Sequence, residues 1–175
     1  MPSRHHAIPT GVHLILRRDD RVLLMRRANT GFFDGLFSLP GGHVEAGESI
    51  AMTAIREGRE ELGIELAEAS LATVGVIHRL SDSNRIDFFV EVERWAPEPR
   101  RAEPDKCDLL DWYPEHALPA PLVPYVRLAL ARRGAAGWIL EQGWPSVSMS
   151  PRQAVPTSAA SPSAAKALQK RISRG

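Results

Sequence analysis

The segment from Gly42 to Ile64 constrains the fold more than any other part of the chain, because it carries the signals of one complete helix. Ser49 is a good N-cap residue, since its hydroxyl can accept a hydrogen bond from a free backbone amide at a helix start. Gly63 supplies a stop signal at the other end. Between them, small and apolar residues recur at helical spacing, at positions Ala51, Ala54, Ile55, Gly58 and Leu62. This pattern predicts an amphipathic helix between Ser49 and Gly63.

Three glutamates occupy one side of the predicted helix. Glu57, Glu60 and Glu61 fall within an arc of about 100°, beside the apolar arc, because each helical residue advances by about 100°. They therefore line the rim of a buried face. Glu57 and Glu61 form a like-charge i,i+4 pair, so at least one of them should have a raised pKa without a counter-charge. The spacing predicts that a cation belongs beside this rim.

The chemistry of these side chains indicates which cation it is. Carboxylate oxygens favour a hard cation, Mg²⁺ or Mn²⁺, over zinc. Proteins usually hold such ions with a few carboxylates together with waters and substrate phosphates, so phosphate chemistry is a candidate function. From these residues alone, the alternative of a solvent-exposed acidic face with Glu–Arg pairs stays open.

Two further positions in the helix need an explanation. Arg56 lies four residues before Glu60, so we expect an i,i+4 ion pair that orients the Glu60 carboxylate. Gly58 costs about 1 kcal/mol relative to alanine in the middle of a helix. A close contact between the helix and a sheet would explain the glycine.

The rest of the chain predicts a mixed α/β fold. Short β-rich runs are bounded by polar turns and by segments rich in glycine or proline, and a second amphipathic helix lies near the end of the body. The predicted strands are Val12–Arg17, Val22–Arg27, Phe37–Leu39, Leu71–Arg79, Arg85–Trp95 and Leu109–Trp112, and the second predicted helix is Val123–Arg133.

Composition divides the 175 residues into two parts. Residues 1–145 are predicted to form one globular domain, and residues 146–175 a Ser/Ala/Pro-rich tail with too little apolar surface to order itself. The tail carries five basic and no acidic residues, which leaves 17 basic and 21 acidic residues in the body, a net charge of −4. A mildly acidic body argues against a nucleic-acid polymer as the main partner.

Other sequence signals exclude several classes of protein. The single cysteine, Cys107, has no His or Cys near it at zinc-ligand spacing. No apolar run approaches the roughly 20 residues that span a bilayer, and residues 1–10 do not resemble a secretory signal. The sequence therefore predicts a cytoplasmic protein without a membrane segment.

The segment from Gly42 to Ile64 resembles the Nudix box, G-x5-E-x7-R-E-U-x-E-E-x-G-U, in which U is an aliphatic residue. It matches at Gly42, Glu48, Arg56, Glu57, Glu60, Glu61, Gly63 and Ile64, and departs only at Gly58. The strands and helices around it also look like a Nudix domain, over about Val12 to Arg133. The resemblance implies an α/β/α sandwich built on a mixed sheet, and a hydrolase that cleaves a nucleoside diphosphate linked to another group.

The resemblance also implies roles for individual residues. Mg²⁺ or Mn²⁺ would be bound by Glu57, Glu60 and Glu61, often with the backbone oxygen of Gly42 and sometimes with Glu48. Either Glu60 or Glu61 would take the proton of the attacking water. A likeness to MutT-like enzymes makes Glu103 another candidate for that role.

Two more residues are candidates for binding the substrate. Arg27, on the strand that leads into the Gly-rich loop, is expected to contact a phosphate. Phe37 is expected to stack on a nucleobase, and Phe32 and Phe33 are further candidates for that role.

The substrate is only partly constrained. Family members specialised for ADP-ribose carry a proline beyond the box where this chain has Arg79 and Leu80. The tyrosine of dinucleoside polyphosphate hydrolases and the guanine-reading asparagine of MutT-like enzymes are absent as well. We therefore expect a (d)NTP to be cleaved to NMP and pyrophosphate. The alternative is a Nudix-fold module that binds a nucleotide without turnover.

Overall fold

The computed structural model describes residues 7–145, which form a mixed sheet with a helix on each face. The strands are β1 Thr10–Arg18, β2 Arg21–Arg27, β3 Phe37–Ser38, β4 Gly41–His43, β5 Leu71–Leu80, β6 Asn84–Val92, β7 Cys107–Pro114 and β8 Trp138–Gln142. The helices are α1 Ile50–Leu62 and α2 Pro124–Leu130, with short 3₁₀ helices at Glu68–Ser70 and Glu115–Ala117.

The strand order explains why the sheet is mixed. Its main path runs β3-β2-β1-β6-β5-β8, while β4 pairs with β1 and β7 pairs with β2. The β1–β6 and β5–β8 pairs are parallel, and the hairpins β1–β2 and β5–β6 are antiparallel. The expected α/β class with a mixed sheet is confirmed.

Alternation along β1 divides the core into two layers, because successive strand residues point to opposite faces of a sheet. Val12, Leu14 and Leu16 belong to the apolar cluster that includes α1. Ile15 belongs to the cluster on the other face, which includes α2. The two helices therefore cover opposite faces, as an α/β/α sandwich requires.

Helix α1 forms where the sequence predicts it. The Ser49 hydroxyl accepts a hydrogen bond from the Met52 amide, and Gly63 ends the helix in the left-handed conformation. A side chain at Gly58 would meet Leu66 and Ile64, in the segment that follows the helix. Close packing does explain this glycine, but its partners are these two side chains rather than a strand.

Several element boundaries differ from those that the sequence predicts. Helix α2 is shorter than expected, and β7 extends the predicted Leu109–Trp112 strand in both directions. β4 and β8 lie in segments where we expected no strand. The predicted tail, residues 146–175, lies outside the described residues.

Two other features concern the chain as a whole. Cys107 is buried at the start of β7, where its thiol contacts the Leu109 carbonyl oxygen. Neither helix within residues 7–145 has the length and apolar character needed to cross a membrane.

Candidate active site

The carboxylates of α1 meet the β-sheet at strand β4. The carboxylate of Glu57 lies against Gly42, where a side chain on residue 42 would collide with it. The backbone amide of Gly41 donates a hydrogen bond of 2.7 Å to Oε2 of Glu61. Gly42 thus allows β4 to approach the Glu57 carboxylate with bare backbone, which a larger residue there would prevent.

Burial and repulsion disturb the ionisation of both residues. Burial, followed by the charge of Glu57, raises the pKa of Glu61 to about 8. Burial also raises the pKa of Glu57, although the neighbouring Arg56 guanidinium opposes that shift. The prediction that at least one of these carboxyls has a raised pKa is confirmed.

Arg56 connects the remaining acidic side chains. Its guanidinium donates to Oε1 of Glu48 at 2.7 Å, to Oε1 of Glu57 at 2.7 Å and to Oε2 of Glu60 at 3.1 Å. It also donates to the backbone oxygen of His43. These bonds lower the pKa of Glu48 to about 2. The expected pairing of Arg56 with Glu60 is present, and Arg56 holds two other glutamates as well.

The chemistry of these side chains fits a divalent cation. Within residues 7–145, no three His, Cys, Asp or Glu side chains converge into a ready set of ligands, because Arg56 occupies Glu48 and Glu60. Glu57 and Glu61, however, are crowded acids with raised pKa values beside the Gly42 backbone. A bound cation would relieve their repulsion.

These groups line a cleft of about 540 Å³, a size typical of small-molecule sites. The cleft also receives side chains from β1, from the loop after β2, from β5 and β6, and from α2. Its acidic lining residues are Glu45, Glu57, Glu60, Glu61, Asp87 and Glu103, and its basic ones are Arg27, Arg56, Arg79, Arg85 and Lys106.

Glu103 and Arg27 lie in the cleft, as we expected, but each has a partner within the protein. Lys106 Nζ donates to Oε1 of Glu103 at 2.9 Å. The Arg27 guanidinium donates to the backbone oxygen of Phe32 at 2.7 Å and to the Thr30 hydroxyl at 3.0 Å. Arg27 therefore supports the loop after β2, and its phosphate contact stays a prediction.

The structure contradicts the placement of Phe37 at the substrate. Phe37 is buried in the core on β3, where its ring makes an edge contact with Tyr113, and it does not line the cleft. The pairing of β3 with β2 places this side chain in the apolar cluster that includes α2. Phe32, five residues earlier in the loop, is the phenylalanine that lines the cleft.

A buried polar group in the cleft was not predicted from the sequence. Arg79 donates to Oδ2 of Asp87 at 2.5 Å, and Nε2 of His13 lies 3.0 Å from Oδ1 of the same carboxylate. Burial opposes ionisation of Asp87, but His13 and Arg79 outweigh it and lower the pKa of Asp87. A charged residue within a strand pattern was the available signal, since such residues are rarely buried unless paired.

Comparison with known proteins decides the family. The NUDIX domain profile matches residues 7–132, more than two thirds of the chain. The chain belongs to the Nudix family of hydrolases. The resemblance of the Gly42–Ile64 segment to the Nudix box is thereby confirmed.

Relatives of this Nudix protein differ in what their names say they cleave. A CTP pyrophosphohydrolase of Escherichia coli is 36% identical over 119 residues, 65% of this chain and 82% of that protein. An ADP-ribose pyrophosphatase of Methanocaldococcus jannaschii is 44% identical over 50 residues, and the chain spans only 29% of its length. A MutT NUDIX hydrolase of Burkholderia pseudomallei has a TM-score of 0.68 at 29% identity, over 73% of this chain and 99% of that one.

Proposed function

We propose that this Nudix protein is a Mg²⁺-dependent pyrophosphohydrolase that cleaves a (d)NTP to NMP and pyrophosphate. The observation that carries the proposal is the composition of the cleft. The crowded carboxylates of Glu57 and Glu61 share it with the guanidinium groups of Arg79 and Arg85. A metal-bound polyphosphate needs carboxylates for its cations, and guanidinium groups stabilise phosphate oxygens or the base. The likeness of this chain to a CTP pyrophosphohydrolase, over most of both chains, supports a nucleoside triphosphate as substrate.

The residues that would hold the metal follow from the donor chemistry. Glu57 lies against Gly42 and Glu61 against the Gly41 amide, so these two carboxylates would hold the metal together with the backbone oxygen of Gly42. Glu48 and Glu60 could join them once Arg56 releases their carboxylates. When bound, Mg²⁺ or Mn²⁺ neutralises charge on the pyrophosphate and lowers the pKa of a coordinated water.

The proton of the attacking water needs an acceptor within the cleft. Glu60, Glu61 and Glu103 all line it. Glu60 is half-exposed and bound to Arg56, whereas Glu103 is held by Lys106. Replacing each by glutamine and measuring kcat against pH identifies the base, because only the variant of the base loses the acidic limb of the profile.

The test of the proposed function is a substrate panel with product identification. The purified protein is incubated with Mg²⁺ and with (d)NTPs, ADP-ribose, NADH and dinucleoside polyphosphates, and products are separated by chromatography. We expect NMP and pyrophosphate from at least one triphosphate. The E61Q variant should lose orders of magnitude in turnover, because it removes a charge from the metal site.

A matched control separates the site from general effects of charge. Glu65 is an exposed glutamate paired with Arg59, outside the cleft, so E65Q should keep full activity. Full activity in E61Q would contradict the metal assignment. Absence of turnover across the panel, with a nucleotide-induced rise in melting temperature, would favour the non-catalytic binding module instead.

Partners and location belong to the same proposal. We assign a small nucleotide as the partner, rather than a nucleic-acid polymer, because the cleft has the volume of a small-molecule site. We place the enzyme in the cytoplasm, where nucleoside triphosphates are available.

A further inference from the structure

Arg79 is a cleft residue that is held in one orientation. The residue is 4% exposed, and its Nε donates to Asp87 while its Nη1 donates to the Ser81 hydroxyl at 2.8 Å. Its guanidinium carbon lies 4.3 Å from the centre of the Tyr125 ring. One flat side of the guanidinium is therefore covered by Tyr125, and the group cannot rotate without breaking its hydrogen bonds.

Asp87, which accepts the hydrogen bond from Arg79, is itself held in place by His13. Asp87 is buried and bound to His13, whose ring stacks on Phe89 with 5.1 Å between the ring centres. Gly11 leaves the room that this arrangement needs, because a side chain there would come within 2.7 Å of Oδ1 of Asp87. Asp87 and His13 are thus positioning residues for the guanidinium.

A second flat group, the Phe32 ring in the loop after β2, lies near Arg79, and its centre is also 5.5 Å from the guanidinium carbon of Arg85. The centre of the Phe32 ring lies 6.0 Å from the guanidinium carbon of Arg79. A nucleobase in contact with two flat groups needs about 3.5 Å on each side, so about 7 Å in total. The Phe32 ring would have to retreat by roughly 1 Å. Such a shift is within reach of a half-buried loop side chain, whereas Arg79 is fixed.

We propose that Phe32 and Arg79 form a stacking slot that holds the nucleobase of the substrate by its two faces. The inference rests on the proposed function, because it requires that the ligand is a nucleotide. A ring face and a guanidinium face bind any planar base, since every base has a π-face. The slot therefore contributes affinity for the base while it tolerates exchange of one base for another.

The test compares ligands with and without a base in Mg²⁺, by isothermal titration calorimetry. CMP, AMP and ribose 5-phosphate contain no phosphoanhydride bond, so the proposed reaction does not consume them. Wild-type protein should bind CMP and AMP about 5- to 150-fold more tightly than ribose 5-phosphate, the range expected for one stacked base. The F32L variant should lose most of this preference.

Two variants give the measurement its controls. F37L makes the same replacement in the core, away from the cleft, and should keep the preference for ligands with a base. R79K keeps the positive charge but lacks a flat face, so it should lose the preference as F32L does. Full preference in either F32L or R79K would overturn the slot, as would equal affinity of wild-type protein for CMP and ribose 5-phosphate.

The outcomes separate the slot from the proposed function. If the preference depends on Phe32 while no triphosphate is hydrolysed, the slot stands and the proposed function fails. If triphosphates are hydrolysed while F32L binds like wild type, the proposed function stands and the slot fails.

Discussion

At the scale of single residues, the site depends on two glutamates that the fold holds close together. Glu57 and Glu61 share one side of α1, and each also meets backbone of β4. Their raised pKa values mean that the metal-free protein keeps them ionised only at a cost. In the proposed metal site, this cost would be the electrostatic source of the affinity for a cation, since binding one would remove it.

Stability without metal should therefore fall as pH rises. The folded-state pKa of Glu61, about 8, lies above its unfolded value near 4.5, so the unfolded chain releases this proton first. The contribution of Glu61 to stability is fully present below pH 4.5 and is lost progressively as the pH rises toward 8. In EDTA, we expect the melting temperature to drop by on the order of 5 °C between pH 5.5 and pH 8.5.

Two comparisons check the origin of that change. The E61Q variant has no proton to lose at this position, so its melting temperature should vary less over the same interval. Added Mg²⁺ should raise the wild-type melting temperature more at pH 8.5 than at pH 5.5. An equal slope in wild type and E61Q would assign the pH dependence to other groups.

Gly42 should tolerate no side chain, because the Glu57 carboxylate occupies the space that a side chain would take. In G42A the new methyl group would displace that carboxylate while the backbone oxygen stays in place. A displacement of about 1 Å in a catalytic group can lower turnover by about 100-fold. We expect a loss of that order, with a higher Mg²⁺ concentration for half-maximal rate and an unchanged circular dichroism spectrum. Wild-type Mg²⁺ dependence in G42A would contradict the assignment.

At the scale of elements, helix α1 is the part of the fold that local sequence determines most fully. Its cap, its apolar spacing and its glycine stop are all contained within residues 49–63. The exposed Ser49 side chain makes one bond, to the Met52 amide at 3.2 Å. The helix start can therefore be tested without disturbing the core.

Replacing Ser49 by alanine or by aspartate should measure how much its cap hydrogen bond contributes to the free energy of unfolding. S49A should lower the free energy of unfolding by about 1 kcal/mol, because an amide of the first turn loses its acceptor. S49D keeps an acceptor and should remain close to wild type. Urea unfolding measured by circular dichroism gives both values. Equal stability of S49A and wild type would show that water replaces the hydroxyl at no cost.

Elements that form through contacts with distant parts of the chain carry no local signal in the sequence. The β4 residues Gly-Gly-His show no alternation, and they become a strand only by pairing with β1. Likewise, β8 becomes a strand only by pairing with β5. Loop aromatics pose the same problem, since nothing local distinguishes the buried Phe37 from the cleft-lining Phe32. The common side of Glu57, Glu60 and Glu61 was predictable because it depends on one helix, whereas the Arg79–Asp87 pair depends on two strands.

At the scale of the whole molecule, the fold extends beyond the family match, which ends at residue 132. Trp138 on β8 packs against Phe89, with 5.4 Å between the ring centres, and covers Gly75 so closely that no side chain fits there. Residues past the match thus complete the α2 side of the core.

Two truncations should therefore differ sharply. A chain ending at residue 145 should keep the melting temperature and turnover of the full chain, because residues 146–175 have little apolar surface to bury. A chain ending at residue 132 loses Trp138, and removal of a buried tryptophan side chain alone costs about 3–5 kcal/mol. Thermal melts of both chains check this. A large drop in melting temperature for the chain that ends at residue 145 would mean that residues 146–175 stabilise the body.

The buried thiol on β7 has a practical consequence. Because Cys107 is the single cysteine of the chain and is 4% exposed, any thiol reagent can attach at one place only, and only when the surrounding structure opens. Burial also raises the pKa of this thiol, which slows its reaction further in the folded state. The rate at which a thiol reagent labels Cys107 therefore reports how often the surrounding structure opens. Labelling with and without nucleotide would measure the effect of the ligand on that opening, with no engineered cysteine.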